Sequence, residues 1–117
     1  MRTQPLFVVL ALLALAGCAS DPAPHEQMRL TEQALEQAKA VGTTDDVAEF
    51  KLAEEKLARA RSNMASESFR DARMRAEQAE LDARLAEAKV LTLKSQEQLT
   101  LLQSRVDRLR KQLGEQR

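Results

Sequence analysis

Two residue types able to do covalent or acid–base chemistry occur once each in this 117-residue chain, as Cys18 and His25. A free thiol can act as nucleophile or metal ligand, but Cys18 has neither a base nor a second ligand beside it. It closes the run Leu15-Ala16-Gly17-Cys18, directly after an uninterrupted apolar stretch from Leu6 to Ala16. Arg2 supplies a thin positive start, and small residues at Ala16 and Gly17 let a peptidase grip extended backbone, so residues 1–17 read as a secretory signal segment. A transmembrane helix needs about twenty apolar residues, and this run stops well short of that. Downstream, Ala19 to Pro24 are small, polar or helix-breaking and offer no core in which to bury a structural thiol.

His25 lies between Pro24 and Glu26, where it reads as a solvated linker residue. The adjacent carboxylates Asp45-Asp46 and Glu54-Glu55 could in principle hold a metal or share a proton. The aspartates sit where a helix cap is wanted, and adjacent glutamates point to different sides of a helix. Gly-rich phosphate loops, His-based metal spacings and nucleophile elbows are all missing from the sequence. The expectation is a protein that is not an enzyme and uses no cofactor, metal or small-molecule substrate.

The Leu15–Cys18 run resembles the lipobox of bacterial lipoprotein precursors. The resemblance implies that the Cys18 thiol carries a diacylglycerol, that cleavage makes Cys18 the mature amino terminus, and that this terminus is acylated. Two or three chains, at about 0.8 kcal/mol per buried CH₂, hold a protein on a membrane without spanning it. In enterobacterial lipoproteins an aspartate directly after the cysteine favours retention in the inner membrane. Ala19 stands there instead, so the resemblance implies the periplasmic face of the outer membrane.

Lys and Arg total 18, matching 18 Asp and Glu, and the two signs are interspersed along the chain. That is a solvated helix surface and not a phosphate-binding stripe, so nucleic acid is not an expected partner. Tyr and Trp are absent and Phe is scarce, while Ala, Leu, Glu, Gln, Arg and Lys dominate, as in long helices and coiled coils. A core made mainly of alanine buries little area, which favours association with a second chain.

The elements that follow from this are all α-helical. Residues 18–25, with two prolines, form a short tether. A first helix runs over about 26–41, with Met28, Leu35, Ala38 and Val41 on one face and Gly42 as its terminator. Asp46, followed three residues later by Glu49, makes a capping-box start for a second helix over about 47–64. Its apolar face is Phe50, Ala53, Leu57, Ala60 and Met64. A third helix over about 67–113 contains neither Gly nor Pro and ends in a tail at 114–117. Pairs with the acid four residues before the base (Glu55 and Arg59, Asp71 and Arg75, Glu80 and Arg84, Asp107 and Lys111) support exposed helices.

The third helix carries two apolar seams: Phe69, Ala72, Ala76, Ala79, Ala83, Ala86, Val90 and Leu93, then Leu99, Leu102, Val106, Leu109 and Leu113. A stutter through Ala88, Leu91, Ser95 and Leu99 is the expected bridge between them. The second helix runs out of length near Ala86, so the alanine seam is the part covered by an up-down-up three-helix unit, an antiparallel hairpin plus one. The leucine seam projects beyond it as a coiled-coil segment. With Leu99, Val106 and Leu113 at a and Leu102 and Leu109 at d, Arg105 takes g and Arg110 takes e. In a parallel homodimer these two arginines face each other, which points to antiparallel self-pairing or to an acid-flanked helix as partner.

From Val47 to Ala88 the alternation Leu52-Ala53, Leu57, Ala60, Ser68-Phe69-Arg70-Asp71-Ala72 and Ala76 to Ala86 resembles a family of alanine-rich helical lipoproteins filed as a domain of unknown function. Some of its members are similar to fusions with an OmpA-like peptidoglycan-binding domain, which none of these residues resembles. The architecture also resembles small Braun-type lipoproteins, but the run Gly114-Glu115-Gln116-Arg117 lacks their terminal lysine for covalent wall attachment. The expected role is a structural or adaptor protein whose partner is a second copy or a helical envelope protein. The alternative is a spacer that binds peptidoglycan non-covalently through Arg105 to Lys111.

Overall fold

The computed structural model describes residues 21–115. Cys18 and the preceding apolar run lie outside the described residues, as do Gln116 and Arg117. Three helices follow in order: α1 (His25–Ala40), α2 (Ala48–Ala65) and α3 (Phe69–Glu115). All three boundaries fall within one or two residues of those read from the sequence. His25 is the first helical residue of α1 and not the last residue of the tether.

Both interhelical turns close in the same way. At the end of α1 the Gly42 amide donates to Lys39 O (2.8 Å) and the Thr43 amide to Ala38 O (3.1 Å). These two bonds form a Schellman motif, with Gly42 in the left-handed region at φ 89°. At the end of α2 the Glu67 amide donates to Met64 O (3.2 Å) and the Ser68 amide to Asn63 O (2.9 Å). There the left-handed position, at φ 59°, is filled by Glu67, which carries a Cβ that glycine lacks.

The start of α2 differs from the capping box expected there. Its N-cap is Val47, which makes no side-chain cap bond. Asp46 lies one residue too early and instead accepts from Thr44 Oγ1 (3.4 Å) within the turn. Glu49 pairs with Lys89 of α3 and does not reach back to Asp46. The Lys89 cation and Glu49's own backbone amide both favour that carboxylate, Lys89 the more strongly.

Cross-helix pairs show the topology. Lys56 meets Asp82 (2.5 Å) and Glu49 meets Lys89, so α2 and α3 are antiparallel. Glu32 meets Arg61 (2.7 Å) and Lys39 meets Glu54 (3.6 Å), so α1 and α2 are antiparallel too. Hence α1 and α3 run parallel, which agrees with Gln27 donating to Glu80 (2.7 Å) near their start and Lys94 donating to Val41 O (2.6 Å) near the end of α1. The bundle is up-down-up, and α3 is the wall against which both shorter helices pack.

The core is small and built of small residues. Alanines 72, 76, 79, 83 and 86 of α3 and Ala60 of α2 are fully buried, and Ala79, Ala83 and Ala86 form one cluster with Ala34, Leu35 and Ala38 of α1 and Phe50, Ala53 and Leu57 of α2. The α1 face is the one expected, with Leu35 and Ala38 buried and Met28 packed half-buried against the core, and it also buries Thr31 and Ala34. Thr31 tolerates this because its hydroxyl lies 2.8 Å from Gln27 O and 2.9 Å from Ala76 O of α3, so a carbonyl takes its proton wherever it points. Methyl side chains at Ala76 and Ala72 let the two backbones come that close.

Candidate docking surface

Burial on α3 ends abruptly. Val90 is half-buried, and every residue from Leu91 to Glu115 is exposed, a free helical rod of about 37 Å at 1.5 Å per residue. Leu93, placed by its spacing at the end of the alanine seam, is 60% exposed, because neither α1 nor α2 extends far enough to cover it. Leu99, Leu102, Val106, Leu109 and Leu113 all lie on this rod, each roughly half-exposed or more. Arg110 reaches back to Asp107 (3.8 Å), a contact that displaces the expected Asp107–Lys111 pair. Arg105 has no ion-pair partner among the described residues.

The leucine seam is longer than its sequence reading. Stepping back from Leu99 by alternating four and three residues gives Ser95, Thr92, Ala88, Leu85 and Leu81, so an unbroken a/d repeat runs from Leu81 to Leu113. Leu81 (67% exposed) and Leu85 lie on the bundle's outer surface, where α1 and α2 leave α3 uncovered. The alanine seam holds positions b and f of the same repeat, roughly 150° away around the helix. The two seams are therefore parallel tracks on opposite sides of one helix. The expected stutter does not join them: Ala88 and Ser95 already belong to the leucine track, and Leu91 flanks it at g.

The two tracks have opposite fates along α3. Past Leu93 the b and f positions turn polar, as Glu97, Thr100, Ser104, Asp107 and Lys111, while the a/d track stays apolar to Leu113. Amphipathicity is thus retained where no bundle exists, facing away from where a bundle would be. An isolated helix gains nothing from such a stripe, whereas a second helix laid along it does.

A hydrogen bond at the other end places the described residues that lead into α1. Arg73 Nη2 donates to Pro22 O (3.4 Å), so the chain entering from Cys18 meets the start of α3. The leucine rod projects from the opposite end. Elsewhere, Arg29 holds the Glu26 carboxyl below the usual carboxylate range by a side-chain hydrogen bond, and Lys89 does the same to Glu49. Of the expected i, i+4 pairs, Glu80–Arg84 forms (2.5 Å). Arg75 bonds Gln78 Oε1 (3.3 Å) instead of Asp71. Among the described residues no three His, Cys, Asp or Glu side chains are placed to hold a metal ion, and no described helix is long and apolar enough to cross a membrane.

Residues 26–102, which take in nearly all of the bundle and the a/d track as far as Leu102, match the model of the domain of unknown function DUF4398. The chain belongs to the DUF4398 family. A crystal structure of a DUF4398 family protein from Pseudomonas aeruginosa PAO1 shares 69% identity with it, covering 82% of this chain and all of that one with a TM-score of 0.79. No curated protein is significantly similar to it. The family assignment carries the helical architecture and brings no activity with it.

Proposed function

We propose that this DUF4398 protein is a lipoprotein held at the periplasmic face of the outer membrane by acyl chains on Cys18, and that it acts without catalysis as a structural or adaptor protein. The observation that carries the reading is the a/d track. Seven large apolar side chains at heptad spacing stand on one face of α3 with no covering partner, two over the bundle (Leu81, Leu85) and five on the rod that projects away from the tether (Leu99, Leu102, Val106, Leu109, Leu113). Without a partner, a stripe of this size is a liability in water. With a helical partner, it becomes a knobs-into-holes interface.

Two measurements test the two halves of the proposal. Cys18→Ala should release the protein from membrane pellets and abolish fatty-acid labelling; unchanged membrane association would overturn the anchor. A photo-crosslinking residue at Leu102 or at Leu109 should capture a protein adduct in cells, and capture at neither position would overturn the docking role. If purified sacculi retain the protein through Arg105 to Lys111 while both probes stay silent, the protein is a wall-binding spacer instead.

A further inference from the structure

We infer that the occupant of the a/d track is a second copy of this chain, laid antiparallel with its own Leu113 opposite Leu81. This rests on the docking role proposed above and names the partner.

The first ground is the fit between layers. The track is asymmetric: its middle has small residues on the amino-terminal side (Ala88, Thr92, Ser95) and large ones on the carboxy-terminal side (Leu99, Leu102, Val106). A parallel, in-register pair would set Ala88, Thr92 and Ser95 each against itself, leaving three thin layers followed by three thick ones. Reversing the second copy sets Ser95 against Leu99, Thr92 against Leu102 and Ala88 against Val106, so every middle layer holds one small and one large side chain. The remaining layers become leucine on leucine. Thr92 tolerates this burial because its hydroxyl already donates to Ala88 O (2.7 Å).

The second ground is charge. In a parallel pair the flanking g and e positions bring together Glu77 with Asp82, Arg84 with Lys89, and Arg105 with Arg110, all of like sign. In the antiparallel register e meets e and g meets g. Asp82 then meets Arg110 twice per dimer, Gln96 and Gln98 meet themselves at the centre, and no like charges are opposed. Asp82 Oδ2 accepts from Lys56 Nζ, which leaves Oδ1 for the second cation.

The third ground is area and access. Each half-exposed leucine of the track retains on the order of 90 Å² to remove from water, so two copies together bury about 1,200 Å², within the range of specific interfaces. Both α1 and α2 cover the b and f face of α3, and α2 reaches the e edge only through the Lys56–Asp82 and Glu49–Lys89 pairs. The two bundles therefore sit at opposite ends of the pair without collision. One consequence is spatial: the two tethers lie about 70 Å apart, so a pair anchored by both copies in one membrane lies along its surface.

The test uses full-length chains expressed in cells and oxidised by a mild thiol oxidant. Ser95→Cys and Leu99→Cys are made on two differently tagged copies, with the unsubstituted chain controlling for Cys18. Co-expression of the two variants should give a disulfide-linked heterodimer, while either variant alone should give none. Crosslinking of each variant with itself would mean a parallel pair and overturn the inference. A Leu102 photo-adduct to a different protein, with no disulfide, would also overturn it while leaving the docking role intact; silence in both assays would sink both. Arg110→Glu adds a reading of opposite sign. It should weaken antiparallel association about 3- to 10-fold, whereas a parallel pair would be strengthened by relief of the arginine clash.

Discussion

The amino-terminal and carboxy-terminal halves of α3 follow the same heptad steps but differ in composition, with six alanines in Phe69 to Val90 and none in Leu91 to Glu115, and they present themselves to water in opposite ways. From Phe69 to Val90 the helix spends its b and f alanines on a bundle and leaves a/d leucines outside. From Leu91 to Glu115 it has no bundle and still keeps the a/d leucines. Methyl groups pack an intramolecular core at close range, while longer side chains are held on the face turned outward. The difference teaches that exposure here belongs to a face and not to an end: the outward track begins over the bundle itself, at Leu81.

Breaking the bundle half should have the largest effect. Phe50 is 2% exposed and the bulkiest side chain in the core, so Phe50→Ala should cost about 3–5 kcal/mol, read as a lower urea midpoint. Next comes a direct contrast of the two tracks. Ala79→Leu, at a fully buried position, should cost about 1–3 kcal/mol through overpacking. Leu102→Ala should change the intrinsic stability of the bundle by less than about 0.5 kcal/mol. Equal losses would erase the distinction between the tracks.

A gain is expected where the chain turns into α3. Glu67 occupies a left-handed position, so Glu67→Gly should stabilise by about 1 kcal/mol, seen as a higher melting temperature. The smallest effect is electrostatic. Glu49 is depressed by Lys89 and Glu26 by Arg29, so each contributes stability that is present above the ordinary glutamate value of 4.5 and is lost as pH falls through the folded-state value. The raised Arg29 does not titrate in that window. The urea midpoint should therefore drop between pH 6 and about pH 3, and Glu49→Gln should show a shallower drop. An identical slope in the variant would remove Lys89–Glu49 as a tie between α2 and α3.

Much of this was legible in the residues. Glycine and proline placement marked the helix ends, three- and four-residue steps gave the buried faces of α2 and α3, and the length of the second helix, spent near Ala86, marked where covering stops. The rest depended on partners distant in sequence. Asp46 looked like a cap because Glu49 followed it, but Lys89, forty residues on, took Glu49. Thr31, a polar residue left out of the expected apolar face, is buried because Ala76 O of α3 comes within reach of its hydroxyl. The backward extension of the leucine track to Leu81 was encoded all along, hidden because the alanine seam crosses the same stretch and invites a single winding reading.

By itself, the sequence determined that this chain is helical, where its helices break, and that α3 is amphipathic far beyond any intramolecular cover, since those properties follow from backbone propensity and local periodicity. Only the tertiary structure decided which of two apolar faces of α3 goes inward. Two short helices joined by tight Schellman turns can approach a helix closely only along a track of methyl groups, and once they are seated there the leucine track is left facing out.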